Sequence, residues 1–179
     1  MVSYPIFMRR GFVSLSCMFA TLLLAAPPAA AQNVKSLGSF GSWSAYSYQD
    51  ERGAKVCFMS AKPSKSEGNY SKRDPVYATI THIPSDKTKN TFSLRAGYSY
   101  KQGSEVTLTI DGRNFSLFTH GDTAWAPKQE VDNTIADSIK KGSRLVLKGT
   151  SARGTLTTDT FSLNGSGKAH AAISKECGV

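Results

Sequence analysis

The sequence predicts an all-β domain, a β-sandwich or barrel-like fold of about nine short strands with one or two small peripheral helices. Three observations lead there. Short runs that alternate apolar with polar residues recur from Gln32 onward, punctuated by turn formers. An Asp-Gly pair joins two such runs with the spacing of a tight hairpin. Only two stretches set apolar residues at helical intervals.

The strands follow in order. Residues 40–48 place Phe40, Trp43, Tyr46 and Tyr48 among small or polar neighbours, and Lys55-Val56-Cys57-Phe58-Met59 makes a second run. Residues 76–83 are rich in β-branched side chains, which fit a pleated surface, and Pro84, which has no N–H for a ladder, ends them. Thr91-Phe92-Ser93-Leu94-Arg95 alternates again. Glu105-Val106-Thr107-Leu108-Thr109-Ile110 then runs through Asp111-Gly112 into Arg113-Asn114-Phe115-Ser116-Leu117-Phe118. Asp-Gly supplies the positive φ angles of a type I′ turn, with Val106, Leu108 and Ile110 on one face and Thr107 and Thr109 on the other. Residues 144–148 and 155–163 read as the last strands, joined by a turn at 151–154.

Residues 131–141 carry Val131, Ile135 and Ile139 one helical turn apart, with Asp132 near the start. Lys140-Lys141 in the last turn suits the helix dipole, and Gly142 stands where a C′ glycine would. Residues 167–175 hold a weaker stripe, Ala169, Ala172 and Ile173. Asn164-Gly165-Ser166-Gly167 reads as the turn entering it, with a serine suited to capping.

Residues 1–31 read as a secretory signal: Arg9-Arg10, an apolar run over 12–26, then Pro27-Pro28-Ala29-Ala30-Ala31 as the cleavage region. The run is shorter than the roughly 20 residues that span a bilayer, and no second one follows, so an integral membrane protein is not expected. Arg9-Arg10-Gly11-Phe12-Val13 also fits the twin-arginine pattern, a route for chains folded beforehand. No cofactor site follows, and general secretion is the expected route. Cleavage leaves residues 32–179 as a single domain, long enough for its own core.

Export changes the cysteine count. Cys17 leaves with the signal, and the apolar run continues past it, which argues against lipidation. Cys57 and Cys177 remain, and an even pair in an oxidising compartment favours a disulfide over two buried thiols. On the chain-entropy picture, a bridge across so long a loop contributes on the order of 4–5 kcal/mol.

Formal charge is +9 for the whole chain, and +7 without Arg9 and Arg10, from 20 basic and 13 acidic residues. Basic residues are dispersed, and the loop 62–75 is long, polar and exposed, carrying Lys62, Lys65, Tyr70, Lys72 and Arg73. Tyr70, Lys72, Arg73 and Tyr77 together resemble a nucleic-acid patch, but export argues against nucleic acid. Anionic lipid, polysaccharide or an acidic envelope protein is the expected partner, unless the charge serves only solubility.

No catalytic constellation stands out. The Gly165-Ser166-Gly167 stretch lacks the spacing of a nucleophile elbow. His82, His120 and His170 are scattered without metal-ligand spacing, Asp50-Glu51 read as turn residues, and no phosphate loop or dinucleotide fingerprint occurs. No cofactor is expected.

In order along the chain stand Trp43, the Cys57 strand, Pro63, Gly97-Tyr98, Phe115-Ser116-Leu117 and Ala124-Trp125. Ile139-Lys140-Lys141-Gly142, Gly149-Thr150-Ser151-Ala152-Arg153-Gly154-Thr155, Asp159-Thr160-Phe161-Ser162-Leu163 and a closing Cys177 follow. This series resembles the bacterial invasion-associated locus B family over residues 40–177. The resemblance implies an exported, mainly β domain of the periplasm or outer envelope, linked in some pathogens to invasion of host cells. It brings no catalytic residues to carry over. The chain departs from the family pattern at Tyr46, near which a cysteine would follow the first tryptophan, and at Ser166, where an aromatic would follow Gly165.

The function expected is therefore a non-enzymatic binding or interaction domain of the periplasm or envelope, with loop 62–73 as its contact surface. The alternative is an envelope hydrolase whose site gathers distant residues such as His82, His120 and Asp122.

Overall fold

Residues 33–179 are described in a computed structural model. The expected signal segment, with its twin-arginine pattern and Cys17, lies outside the described residues. Eleven strands form. The first five are β1 (Lys35–Phe40), β2 (Trp43–Gln49), β3 (Lys55–Ala61), β4 (Lys65–Gly68) and β5 (Tyr77–Ile83). After a 3-10 turn at Pro84–Asp86 come β6 (Thr88–Arg95), β7 (Val106–Ile110), β8 (Arg113–His120) and β9 (Thr123–Trp125). The helix α1 (Gln129–Lys141), then β10 (Arg144–Thr150), β11 (Leu156–Ser162) and the helix α2 (Ser166–Cys177) complete the chain.

All pairings are antiparallel, in the order β1-β2-β3-β5-β6-β9-β8-β7-β10-β11-β4, and the ends do not meet. The fold is thus mainly β, sandwich-like and unclosed, with two small helices. β8 is the joint: Arg113 to Leu117 pair with β7, while Phe118 to His120 pair with β9. Asp111 (φ 43) and Gly112 (φ 90) make the positive-φ turn expected of Asp-Gly, and Val106, Leu108 and Ile110 all point inward.

The core lies between the two halves of the bent sheet. Trp43, Met59, Ile80, Phe92 and Leu94 face it from one half, and Leu108, Leu145, Leu147 and Phe161 from the other. Ile135, Ile139 and Ile173 add the helical contribution. The Trp43 indole N–H donates to the Ser162 carbonyl at 3.0 Å, giving that buried ring the polar partner it needs and tying β2 to β11. α1 lies against β6, α2 lies across β1, β2, β3 and β5, and the helices touch one another.

Several local expectations change. The run 40–48 is a hairpin: Phe40 ends β1, and Gly41 and Ser42 turn the chain into β2. The β4 segment of the supposed loop is an edge strand, its four residues exposed, bound to β11. Gly142 is extended (φ −83, ψ 176) and not a left-handed C′ residue. Space demands the glycine, since a Cβ there would lie 2.7 Å from the Ser138 carbonyl and 2.8 Å from the Asp111 carboxylate. That carboxylate accepts from the Ser143 and Arg144 N–H groups, docking the hairpin turn onto the end of α1. Ser166 does not cap α2; its hydroxyl donates to the Ile139 carbonyl at 2.7 Å and fastens α2 to α1.

The Cys57–Cys177 disulfide is formed, with Cα atoms 6.0 Å apart. It fixes the last turn of α2 to β3.

Candidate functional site

Beyond β4 the chain passes back over the ends of β6 and β11, and its anchor is Arg73. The Arg73 side chain is only 5% exposed and meets a fully buried Asp159 on the inward face of β11. Its two terminal nitrogens donate to the two Asp159 oxygens at 2.9 and 2.7 Å, and Nε donates to the Ala96 carbonyl at 2.6 Å. The Ser66 hydroxyl gives Asp159 a further donor at 2.7 Å. Burial opposes the Arg73 charge, but the Asp159 hydrogen bonds and negative charge outweigh it and hold the guanidinium above its ordinary value. Its plane is framed by two rings, Tyr98 at 4.8 Å and Tyr70 at 5.5 Å, so cation–π attraction adds to the ion pair.

This anchored segment forms one side of an open groove of about 720 Å³. Tyr70, Lys72 and Arg73 line one wall, Ser151, Ala152 and Arg153 the other, and Tyr98 and Thr157 the floor. The walls are held by main-chain bonds: Asp74 N–H to the Gly97 carbonyl at 3.1 Å and Ala152 N–H to the Ser99 carbonyl at 2.8 Å. Gly97 (φ +72) is required, because a side chain there would run into the Asp74 carbonyl. The Tyr98 hydroxyl is bonded to Thr157 Oγ1 at 2.7 Å, and burial pushes the phenol up. Behind it Tyr100 is buried at 6% exposure, with no hydrogen-bond partner for its hydroxyl among the described residues.

The five loop residues expected to form one basic surface are therefore divided. Tyr70, Lys72 and Arg73 share the groove. Lys65 sits on β4 beside Glu67 at 2.8 Å, and Lys62 stands 5.7 Å over the Tyr77 ring. Arg73, expected to be exposed, is buried and neutralised. The physical reason is Asp159, which occupies an inward position on β11 between Thr157 and Phe161, where a carboxylate needs a cation.

The structure does not bring together the residues of the hydrolase alternative. His120 and Asp122 belong to the β8–β9 hairpin, where Asp122 accepts from Arg95 at 2.8 Å and from Thr123. His82 lies fully buried beneath α2, its ring 5.3 Å from that of His170. The Asn90 N–H donates to His82 Nδ1 at 2.9 Å, which leaves the His82 Nε2 proton facing Ser174 Oγ at 3.2 Å. Ser174 lies 3.4 Å from His170 Nδ1, and His170 Nε2 lies 2.8 Å from Asn90 Oδ1. Burial holds both imidazoles neutral, His82 below its ordinary value and His170, with Lys140 and His82 nearby, at about 4. Sequence reasoning weighed His82 and His170 as scattered, and missed their approach and the linking Ser174 and Asn90. The one available signal was the one-turn spacing of His170 and Ser174 on α2.

Among the described residues no cluster of three His, Cys, Asp or Glu side chains is placed to hold a metal ion. No described helix is long and apolar enough to cross a membrane. No curated protein and no solved structure matches the chain. The stretches that carry the resemblance, Gly97-Tyr98, 149–155 and Asp159, meet at the groove and at the buried ion pair behind it. The family model described as Invasion associated locus B (IalB) protein matches residues 43–174, so the chain belongs to that family.

Proposed function

We propose that this protein is an exported, non-enzymatic binding domain of the bacterial envelope, and that the groove between residues 70–73 and 151–153 receives its partner. The observation that carries the reading is the anchoring of Arg73. A buried bidentate pair, framed by two tyrosine rings, holds a groove wall rigid while leaving Lys72 and Arg153 at the surface. Rigid walls with a few polar groups suit recognition, because little ordering entropy remains to be lost on binding. The Cys57–Cys177 bridge supports export, since such bonds persist in oxidising compartments. The enclosed His82–His170 pair, with its ring nitrogens committed to internal partners, supports a structural and not a catalytic use of those histidines.

Crosslinking in intact cells, followed by mass spectrometry, tests the proposal. Crosslinks to an envelope component should map to the groove and be lost in a Lys72→Glu, Arg153→Glu double variant. Crosslinks of equal yield in that variant would reject the groove as the contact site.

A further inference from the structure

The outward face of β2, β3, β5, β6, β9 and the end of β8 is a broad sheet surface opposite to both helices. Register sets its side chains in rows. One row crosses Ser44, Ser60, Thr79, Ser93, Trp125 and Phe118. The next crosses Tyr46, Phe58, Thr81 and Thr91. All are half-buried except Phe118, which is 50% exposed. Tyr46 and Phe58 stack with ring centroids 5.2 Å apart, and Tyr48 meets Phe58 edge-on at 6.0 Å.

Two aromatic platforms thus flank a floor of hydroxyls. Phe58 and Trp125 lie three strands apart, about 14 Å across the strands at ordinary spacing, and one row apart along them. The two rows contain no Asp, Glu, Lys or Arg. At the margin stand Arg95, paired with Asp122, and Lys62 over the Tyr77 ring.

We infer that this face binds an uncharged oligosaccharide chain lying across the strands. Sugar rings present C–H faces to aromatic platforms, whose π-surfaces are negative. Their hydroxyls both donate and accept, as do the Ser and Thr hydroxyls between the platforms. An acidic polymer finds no cation within the rows. A second copy of the chain would bring its own excess of positive charge, formally +7 without Arg9 and Arg10, against the same face. The site is separate from the groove, so either can fail without the other.

The chain has two tryptophans, Trp43 fully buried and Trp125 on this face, so fluorescence reports the site directly. The protein is titrated with cellohexaose, laminarihexaose, maltohexaose and chitohexaose, with calorimetry in parallel. At least one should shift the tryptophan emission saturably. Its affinity should fall at least tenfold in Trp125→Ala and in the independent variant Tyr46→Ser, and remain within twofold in Lys72→Glu. Absence of binding by all four sugars overturns the inference, as does undiminished binding in the folded Trp125→Ala and Tyr46→Ser variants. A dimer in sedimentation velocity that Trp125→Ala abolishes also overturns it, because the face would then belong to a second copy.

Discussion

Arg73 and Asp159 meet through two parallel hydrogen bonds of 2.9 and 2.7 Å in a site where neither side chain is more than 5% exposed. A pair this buried behaves asymmetrically, for removing one partner leaves the other charged and unsatisfied. Arg73→Ala or Asp159→Asn should therefore lower stability by about 3–5 kcal/mol in urea unfolding. Lys72→Glu, one residue away but exposed, should change it by no more than about 0.5 kcal/mol.

The disulfide joins residues 120 apart in sequence. Cys177→Ser should lower stability by on the order of 4 kcal/mol, through the larger freedom of the unbridged unfolded chain. Thiol titration of the denatured full chain should find one thiol before reduction, Cys17, and three after it.

The two buried histidines make the fold sensitive to acid. Their folded values lie below the ordinary 6.5, so their contribution is complete above that pH and is lost as pH falls toward about 4. Asp132, buried on α1, works the other way. Desolvation raises it to about 6, so the fold favours its neutral form and gains from it as pH falls through that value. Asp132→Asn keeps an acceptor for the Phe92 N–H and removes the gain. Its melting temperature should consequently fall more steeply between pH 6.5 and 4 than that of the unaltered protein, by thermal denaturation across that range. Parallel curves would contradict the assignment.

Ser166 tests the junction of the helices. Ser166→Ala leaves the buried Ile139 carbonyl without its donor and should cost about 1–3 kcal/mol. Chemical denaturation measures it directly. A cap residue would instead show itself as fraying of α2 in hydrogen exchange, with Ala169 and His170 losing protection first.

The elements with strong inward alternation were legible. β5, β7, β8, β10 and β11 carry buried residues at every second position or bracket the Asp-Gly turn, and α1 shows its stripe. β1, β4 and β9 were not, for a common reason. β1 and β4 are sheet edges with little apolar surface to alternate, and β9 is three residues long. Their places are set by partners distant in sequence. The disulfide was legible because the expected loss of Cys17 with a signal leaves a single pairing. The groove was half legible: Tyr70, Lys72 and Arg73 were singled out, but their roles depend on Asp159, Tyr98 and Arg153, which only the sheet register brings near. The histidine pair was illegible, since His82 and His170 lie on different elements and nothing local announces their approach.

The position of α2 has a consequence for how the molecule comes into being. This helix follows every strand in sequence, yet it covers residues of β2, β3 and β5, which are synthesised far earlier. Until residues 166–177 arrive, His82 and its neighbours have no lid and Cys57 has no companion. The oxidation that seals the lid requires an oxidising environment. A chain threaded across the membrane unfolded would meet these conditions in the right sequence, with the lid and the oxidant both waiting on the far side. One transported after folding would cross with its two sulfurs still reduced. Under the proposed export of an unfolded chain, completion of this fold would follow translocation.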